Sequence, residues 1–255
     1  STGSLRFMHR ESDFIFGLRP VIEAIRAGKT IDRLLVKQGL RGELYHELMT
    51  EVNRNGISYQ IVPAERLELI TRKNHQGIVA WLSLIDYQSI SNLLPLIYEK
   101  GEDPLIVVLD GVSDVRNFGA IARSAECLGA HAIVLPEKGS ARITADAVKT
   151  SAGALHLLPV CRERSLSRVI RFLKDSGLRV ACATERSENL VSDTDMRGPL
   201  ALVMGSEDKG VGRELVALAD LTVRIPMKGS IGSLNVSVAA GVLIYEIARQ
   251  RNTVS

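Results

Sequence analysis

From residue 105 onward the chain alternates short apolar runs with stretches of helical periodicity, and that alternation limits the folds open to it. The runs are residues 105–109, 132–135, 157–160, 179–183, 200–204 and 221–225. Helical patterns fill most of the gaps, at 119–128, 144–152, 165–175 and 212–219, with a last helix at 233–249. A strand covered on both faces needs no polar side, so it reads as an unbroken apolar run. Runs of this kind separated by helices predict an α/β fold with a parallel sheet between two helical layers. Ligands of such sheets gather at the carboxyl ends of the strands.

The preceding residues repeat the theme on a smaller scale. Val21, Ile22 and Ile25 give a helix within 17–26, and Leu44, Leu48 and Val52 give one at 43–53. Residues 31–36, 58–62 and 78–82 read as strands. The expected organisation is a tag or disordered N-terminus at 1–13, with Met8 as candidate initiator, and a small α/β domain at 14–83. A linker at 84–104 containing a helix at 89–98 would follow, and then a larger domain at 105–255.

Composition narrows the chemistry. Hydrophobic residues make up 45% and aromatic residues only 4%, so the core is aliphatic. Cys127, Cys161 and Cys182 are too few and too scattered for a disulfide framework or a zinc site. The five histidines lack metal-ligand spacing, and no metal is expected. No apolar run has membrane-spanning length and no signal peptide is visible, so the expected location is cytoplasmic, with no membrane partner. A net charge of +3 does not by itself establish nucleic-acid binding. Residues 9–83 hold 11 Lys/Arg against 9 Asp/Glu, too balanced to clamp RNA by charge alone. Arg162, Arg164, Arg168 and Arg171 form a local basic cluster opposed only by Glu163. The last three share a helical face, which reads first as a solvated one.

Three loops at predicted strand ends carry polar groups without an evident structural need. The first holds Asn117, Gly119 and Arg123 around a helix start. Asn117 is either its N-cap or a loop residue, and Arg123 is an unusual cation among alanines. The second, after residue 204, holds Gly205, Glu207, Gly210 and Gly212. The third, residues 225–241, has Pro226, Gly229 and Gly232 before a small-residue helix that Ser233 or Asn235 could cap. The glycines match neither the dinucleotide fingerprint nor the phosphate-loop pattern, which disfavours both ligands.

Together the three loops resemble the three motifs of the SpoU branch of the SPOUT RNA 2′-O-ribose methyltransferases. Motif one is Asn117, Gly119 and Arg123. Motif two is Met204, Gly205, Ser206, Glu207 and Gly210. Motif three is Ile225, Pro226, Met227 and Gly229, followed by Ser233, Leu234, Asn235, Val236 and Ser237. The first domain resembles the L30e-like RNA-binding domain found before this catalytic domain, through Phe16, Gly17, Pro20, Val21, Glu23 and Ala24 and through residues 74–80.

The resemblance implies a trefoil knot in the larger domain. It also implies S-adenosylmethionine as methyl donor, held by Thr184, Met204, Gly205, Ile225, Met227, Ser233 and Leu234. Asn117, Arg123, Glu207, Ser233 and Asn235 become the catalytic group, with Glu207 orienting Arg123. A homodimer is implied, supported by the small residues Ala239, Ala240 and Gly241. The resemblance is greatest to bacterial enzymes that methylate a guanosine in the peptidyl-transferase P-loop of 23S rRNA. The substrate would then be 23S rRNA or a large-subunit assembly intermediate. A tRNA guanosine-2′-O-methyltransferase, a resistance-type rRNA enzyme and a non-catalytic RNA-binding assembly protein are the alternatives.

Overall fold

The structure is a computed structural model that describes residues 14–252; the expected tag or disordered N-terminus lies outside the described residues. The chain forms two compact units, divided between Leu84 and Ile85.

The first unit has strands β1 (Ile15–Phe16), β2 (Ile31–Lys37), β3 (Gln60–Val62) and β4 (Ile78–Leu82) in the order β1-β4-β2-β3. Strand β4 runs antiparallel to β1 and β2, and β3 runs parallel to β2. Helices α1 (Leu18–Arg26) and α2 (Glu43–Arg54) bury Val21, Ile22, Ile25, Leu48 and Val52 against one face. Helix α3 (Ala64–Glu68) brings Leu67 to the other face, beside Trp81. The two sequence pieces singled out here meet, since the Leu18 amide donates to Gln76 Oε1 at 3.0 Å. Gly77 has φ of 82°, and a Cβ there would stand 2.9 Å from the Leu40 and Lys37 side chains, so only glycine fits.

The second unit begins with α4 (Ile90–Glu99) and carries six parallel strands. These are β5 (Leu105–Asp110), β6 (Ala132–Pro136), β7 (Val160–Glu163), β8 (Arg179–Ala183), β9 (Leu200–Gly205) and β10 (Leu221–Val223), in the order β10-β8-β9-β5-β6-β7. Alternate residues of β5 serve the two faces: Leu105, Val107 and Leu109 point one way, Ile106 and Val108 the other. The first face is covered by α5 (Val115–Cys127), α6 (Ala145–Thr150), α7 (Ala154–Leu157) and α10 (Val236–Asn252). The second is covered by α4, α8 (Leu166–Asp175) and α9 (Arg213–Leu218). The predicted two-layer cover is therefore present.

Several boundaries differ from expectation. Residues 84–104 are not a linker: Ile90, Leu94 and Ile97 of α4 are buried in the second unit's core. The strand expected at 157–160 begins only at Val160, because Ala154–Leu157 is helical and leaves Leu157 73% exposed. Helix α5 starts four residues early, since Asp114 caps it by accepting from the Asn117 amide at 2.8 Å. The N-cap is thus Asp114, and Asn117 lies inside the first turn.

Strand β10 is flanked on both sides. It pairs with β8, while Arg224 exchanges hydrogen bonds with the 189–191 segment that follows β8. Residues 221–224 thus lie between β8 and the segment that follows it. The end of α10 is anchored as well. The Arg251 guanidinium donates to the carbonyls of Asp103, Pro104 and Gly198, and Gln250 accepts from the Met196 amide at 2.8 Å.

Candidate active site

The carboxyl ends of β5 and β9 lie side by side, with Asp110 in register with Gly205. The loops leaving them meet the start of α10. Asn235 stands at the junction. Its Oδ1 accepts from the amides of Ser237 at 3.0 Å and Val238 at 3.3 Å, and from the Ser237 hydroxyl, which makes it the cap of α10. Its Nδ2 donates to Asn117 Oδ1 at 3.1 Å and to Glu207 Oε1 at 2.8 Å. The same Glu207 oxygen accepts from the Val236 amide at 2.8 Å. Glu207 thus places negative charge at the positive end of a 17-residue helix, a favourable arrangement.

This network joins three of the five predicted catalytic residues, Asn117, Glu207 and Asn235. Both Asn235 amide hydrogens are committed within the protein, so the side chain braces the loops. Glu207 does not pair with Arg123, because its partners are Asn235 and Val236. Arg123 lies one and two-thirds turns along α5 from Asn117. It is exposed and, among the described residues, makes no hydrogen bond or ion pair through its side chain. Ser233 is likewise exposed and unpartnered among the described residues.

The predicted cofactor residues fall into two kinds. Met204 is buried in the sheet core. Gly205 is a packing glycine, since a Cβ there would meet the Gly210 carbonyl carbon at 2.0 Å and the Val211 nitrogen at 2.3 Å. Motif glycine Gly119 is similar, because a Cβ would stand 2.7 Å from the Ala147 carbonyl where α5 packs on α6. The second kind is open. Among the described residues, no backbone or side-chain hydrogen bond is made by any of residues 226–234. A Cβ at Gly229 or Gly232 would meet nothing within 4 Å. Ile225 and Met227 are half-buried at the base of this loop, and Leu234 is 36% exposed, so it is not a core residue. Thr184 lies at the end of β8, where its amide donates to the Val223 carbonyl at 3.0 Å. A run of unpaired backbone donors and acceptors beside half-buried apolar side chains fits a ligand such as S-adenosylmethionine, with its polar adenine and ribose edges and its apolar faces.

Sequence reading did not single out Asp110 and Asp114. Asp110 Oδ2 accepts from the Gly212 amide at 2.8 Å and ties the second loop to β5. The Asp-x-x-Asn spacing ahead of α5 is the signal that could have found Asp114. Below Asp110, the Cys182 thiol is pushed up to about 12 by burial and then by the Asp110 charge, so it stays protonated. No group of three metal-ligating side chains converges among the described residues. No helix among them is long and apolar enough to cross a membrane.

Comparison with known proteins agrees with this geometry. The SpoU rRNA Methylase family model matches residues 104–245. A model described as RNA 2′-O ribose methyltransferase substrate binding matches residues 14–88. A Bacillus subtilis protein assigned to the TrmH family of tRNA/rRNA methyltransferases is 34% identical over 97% of this chain and 99% of its own length. The SpoU methyltransferase AviRb of Streptomyces viridochromogenes, solved with the cofactor AdoMet, is 28% identical with a TM-score of 0.59. That match covers 93% of this chain and 89% of AviRb. An A. aeolicus TrmH/SpoU tRNA-modifying enzyme is 30% identical with a TM-score of 0.54, covering 58% of this chain and 76% of that one. The chain belongs to the SpoU rRNA Methylase family and is an RNA methyltransferase.

Proposed function

We propose that this protein transfers a methyl group from S-adenosylmethionine to the ribose 2′-hydroxyl of a guanosine in the peptidyl-transferase P-loop of 23S rRNA. It does so as a cytoplasmic homodimer, on free rRNA or on a large-subunit assembly intermediate. The observation that carries the reading is the meeting of Asn117, Glu207 and Asn235 beside the unbonded loop 226–234. When bound, the cofactor supplies an activated methyl group. Thr184, Gly205, Ile225, Met227, Ser233 and Leu234 hold it, with Met204 as the packed floor. The half-buried side chains exclude water, and the loop's free amides and carbonyls take up the ligand's polar edges.

The chain's own chemical task is to align the hydroxyl and help it lose its proton. Arg123 is the residue for this, because it is exposed and uncommitted among the described residues. A guanidinium stays protonated, so its contribution is to bind the neighbouring phosphate and to stabilise negative charge developing on the hydroxyl oxygen. Asn117, Glu207 and Asn235 act as positioning residues. Ser233 retains a free hydroxyl for the ribose.

The pairing of residues 221–224 with β8 on one side and with the 189–191 segment on the other supports a trefoil knot. An exposed apolar stripe on α10 supports the dimer: Val238, Val242 and Tyr245 are 51%, 39% and 58% exposed. The rRNA preference is supported by the substrate-binding match at 14–88, since the A. aeolicus tRNA-modifying enzyme aligns with only 58% of this chain. Arg123→Ala tests the assignment. Methyl transfer should fall at least about 10³-fold, the scale of losing a transition-state charge partner, while calorimetric titration with S-adenosylmethionine gives an unchanged affinity. A comparable loss of cofactor affinity would refute the role.

A further inference from the structure

Helix α8 carries a charge pattern that the methyl-transfer site does not use. Its buried face presents Leu166, Val169, Ile170 and Leu173 to the sheet. On the outside, Arg168 and Arg171 continue a ridge begun by Arg164 just before the helix, and all three are exposed. Arg164 lies 3.9 Å from Glu137 and stays 76% exposed. Arg168 and Arg171 have no ion-pair partner among the described residues.

Several other helical arginines are paired, although among the described residues Arg66, Arg116, Arg123 and Arg213 are not. Arg26 lies 2.8 Å from Glu47 and 3.3 Å from Glu51, and Arg249 lies 2.7 Å from Glu246. The residues three and four positions from Arg168 are Arg164, Ser165, Arg171 and Phe172, and Lys174 follows Arg171 by three. The one carboxylate at such a spacing is Asp175, at the helix end. Like charges at these spacings cost helix stability, and so does a cation in the first turn, where Arg168 sits. A face kept only for solubility interleaves the two signs.

The ridge is also well placed. Helix α8 leaves the carboxyl end of β7, on the same sheet edge as the catalytic loops. Strand β7 is two strands from β5, a separation of about 10 Å at ordinary strand spacing. Helix α8 packs beside α9, which follows the Glu207 loop. There Lys209 and Arg213 are exposed but alternate with Asp208 and Glu214, whereas Arg168 and Arg171 on α8 have no carboxylate between them.

We infer that the outer face of α8 binds the phosphate backbone of the RNA substrate next to the nucleotide being modified, with Arg168 and Arg171 as the principal contacts. The inference rests on the RNA-methyltransferase reading. It adds a binding surface within the second unit, distinct from the substrate-binding match at residues 14–88. Arginine suits this role because its fork matches phosphate oxygens. Such contacts position RNA without reading its sequence, and they release counterions.

The test uses the full chain, an unmodified 23S rRNA transcript and the double variant R168Q/R171Q. RNA affinity at 0.1 M salt should fall at least about tenfold, and the slope of log affinity against log salt should shrink by about 1.4 to 1.8. Affinity for S-adenosylmethionine and the melting temperature should match the wild type, because both side chains are exposed. R168K/R171K should recover most of the RNA affinity. Wild-type RNA affinity and salt slope in the glutamine variant would overturn the inference and leave α8 a solvated face. A wild-type protein that neither binds nor methylates any RNA would overturn the underlying reading as well.

Discussion

The two glycine-bearing loops at the carboxyl edge of the large sheet look alike in sequence and differ in structure. In 205–212 the glycines serve the protein's own packing. Gly205 lies against the backbone of 210–211, the Gly210 amide donates to the Ser206 carbonyl at 2.9 Å, and the Gly212 amide donates to Asp110. In 226–234 none of the described residues makes a hydrogen bond, and Gly229 and Gly232 face open space. The first loop is scaffold that fixes Glu207. The second is left for a ligand to complete. Glycine in a loop thus carries two opposite meanings, and only the atoms around it tell them apart.

Gly205→Ala attacks the scaffold loop and has the largest expected effect. Its Cβ would collide with backbone, which cannot swing aside, so a loss of about 3 kcal/mol is expected in urea unfolding. Gly205→Ala with wild-type stability would break the distinction. Glu207→Ala leaves the buried residue Val236's amide and one Asn235 hydrogen without their acceptor, at a cost of about 2 kcal/mol. Activity should fall with it, because the start of α10 loses its anchor. Gly232→Ala belongs to the open loop. Unfolding should shift by no more than about 0.5 kcal/mol, while affinity for S-adenosylmethionine drops. Equal effects on stability at 205 and 232 would erase the contrast.

Thiol labelling sharpens the comparison most gently. Cys127 is exposed, whereas Cys182 is buried beside Val203 of β9, the strand that leads into the scaffold loop, with its thiol pushed up to about 12. At pH 8 Cys182 is therefore neutral and shielded, and an alkylating reagent should modify Cys127 alone. In Gly205→Ala, faster modification of Cys182 would report opening of the scaffold loop.

Much of this was legible in the sequence. The strands of the second unit were visible because a strand buried on both faces needs a continuous apolar run, as in β5, β8 and β9. Strand β7 was misplaced because apolar residues from Leu155 to Val160 span a helical turn before the strand begins. Strand β1 and helix α3 escaped notice because two and five residues are too short to establish a period. The three loops were identified as a site, but not what each residue does within it. Asn117, Glu207 and Asn235 are brought together by the sheet order, which local pattern does not encode. The expected Glu207–Arg123 pair failed for the same reason, because the nearer donors to Glu207 are the α10 cap and its first amide.

The central claim is methyl transfer to one ribose of 23S rRNA. Incubating the protein with labelled S-adenosylmethionine and unmodified 23S rRNA, then mapping the label, tests it directly. A single 2′-O-methylguanosine in the peptidyl-transferase P-loop is expected, absent with Arg123→Ala. Label in tRNA alone, or none in any RNA, would contradict it.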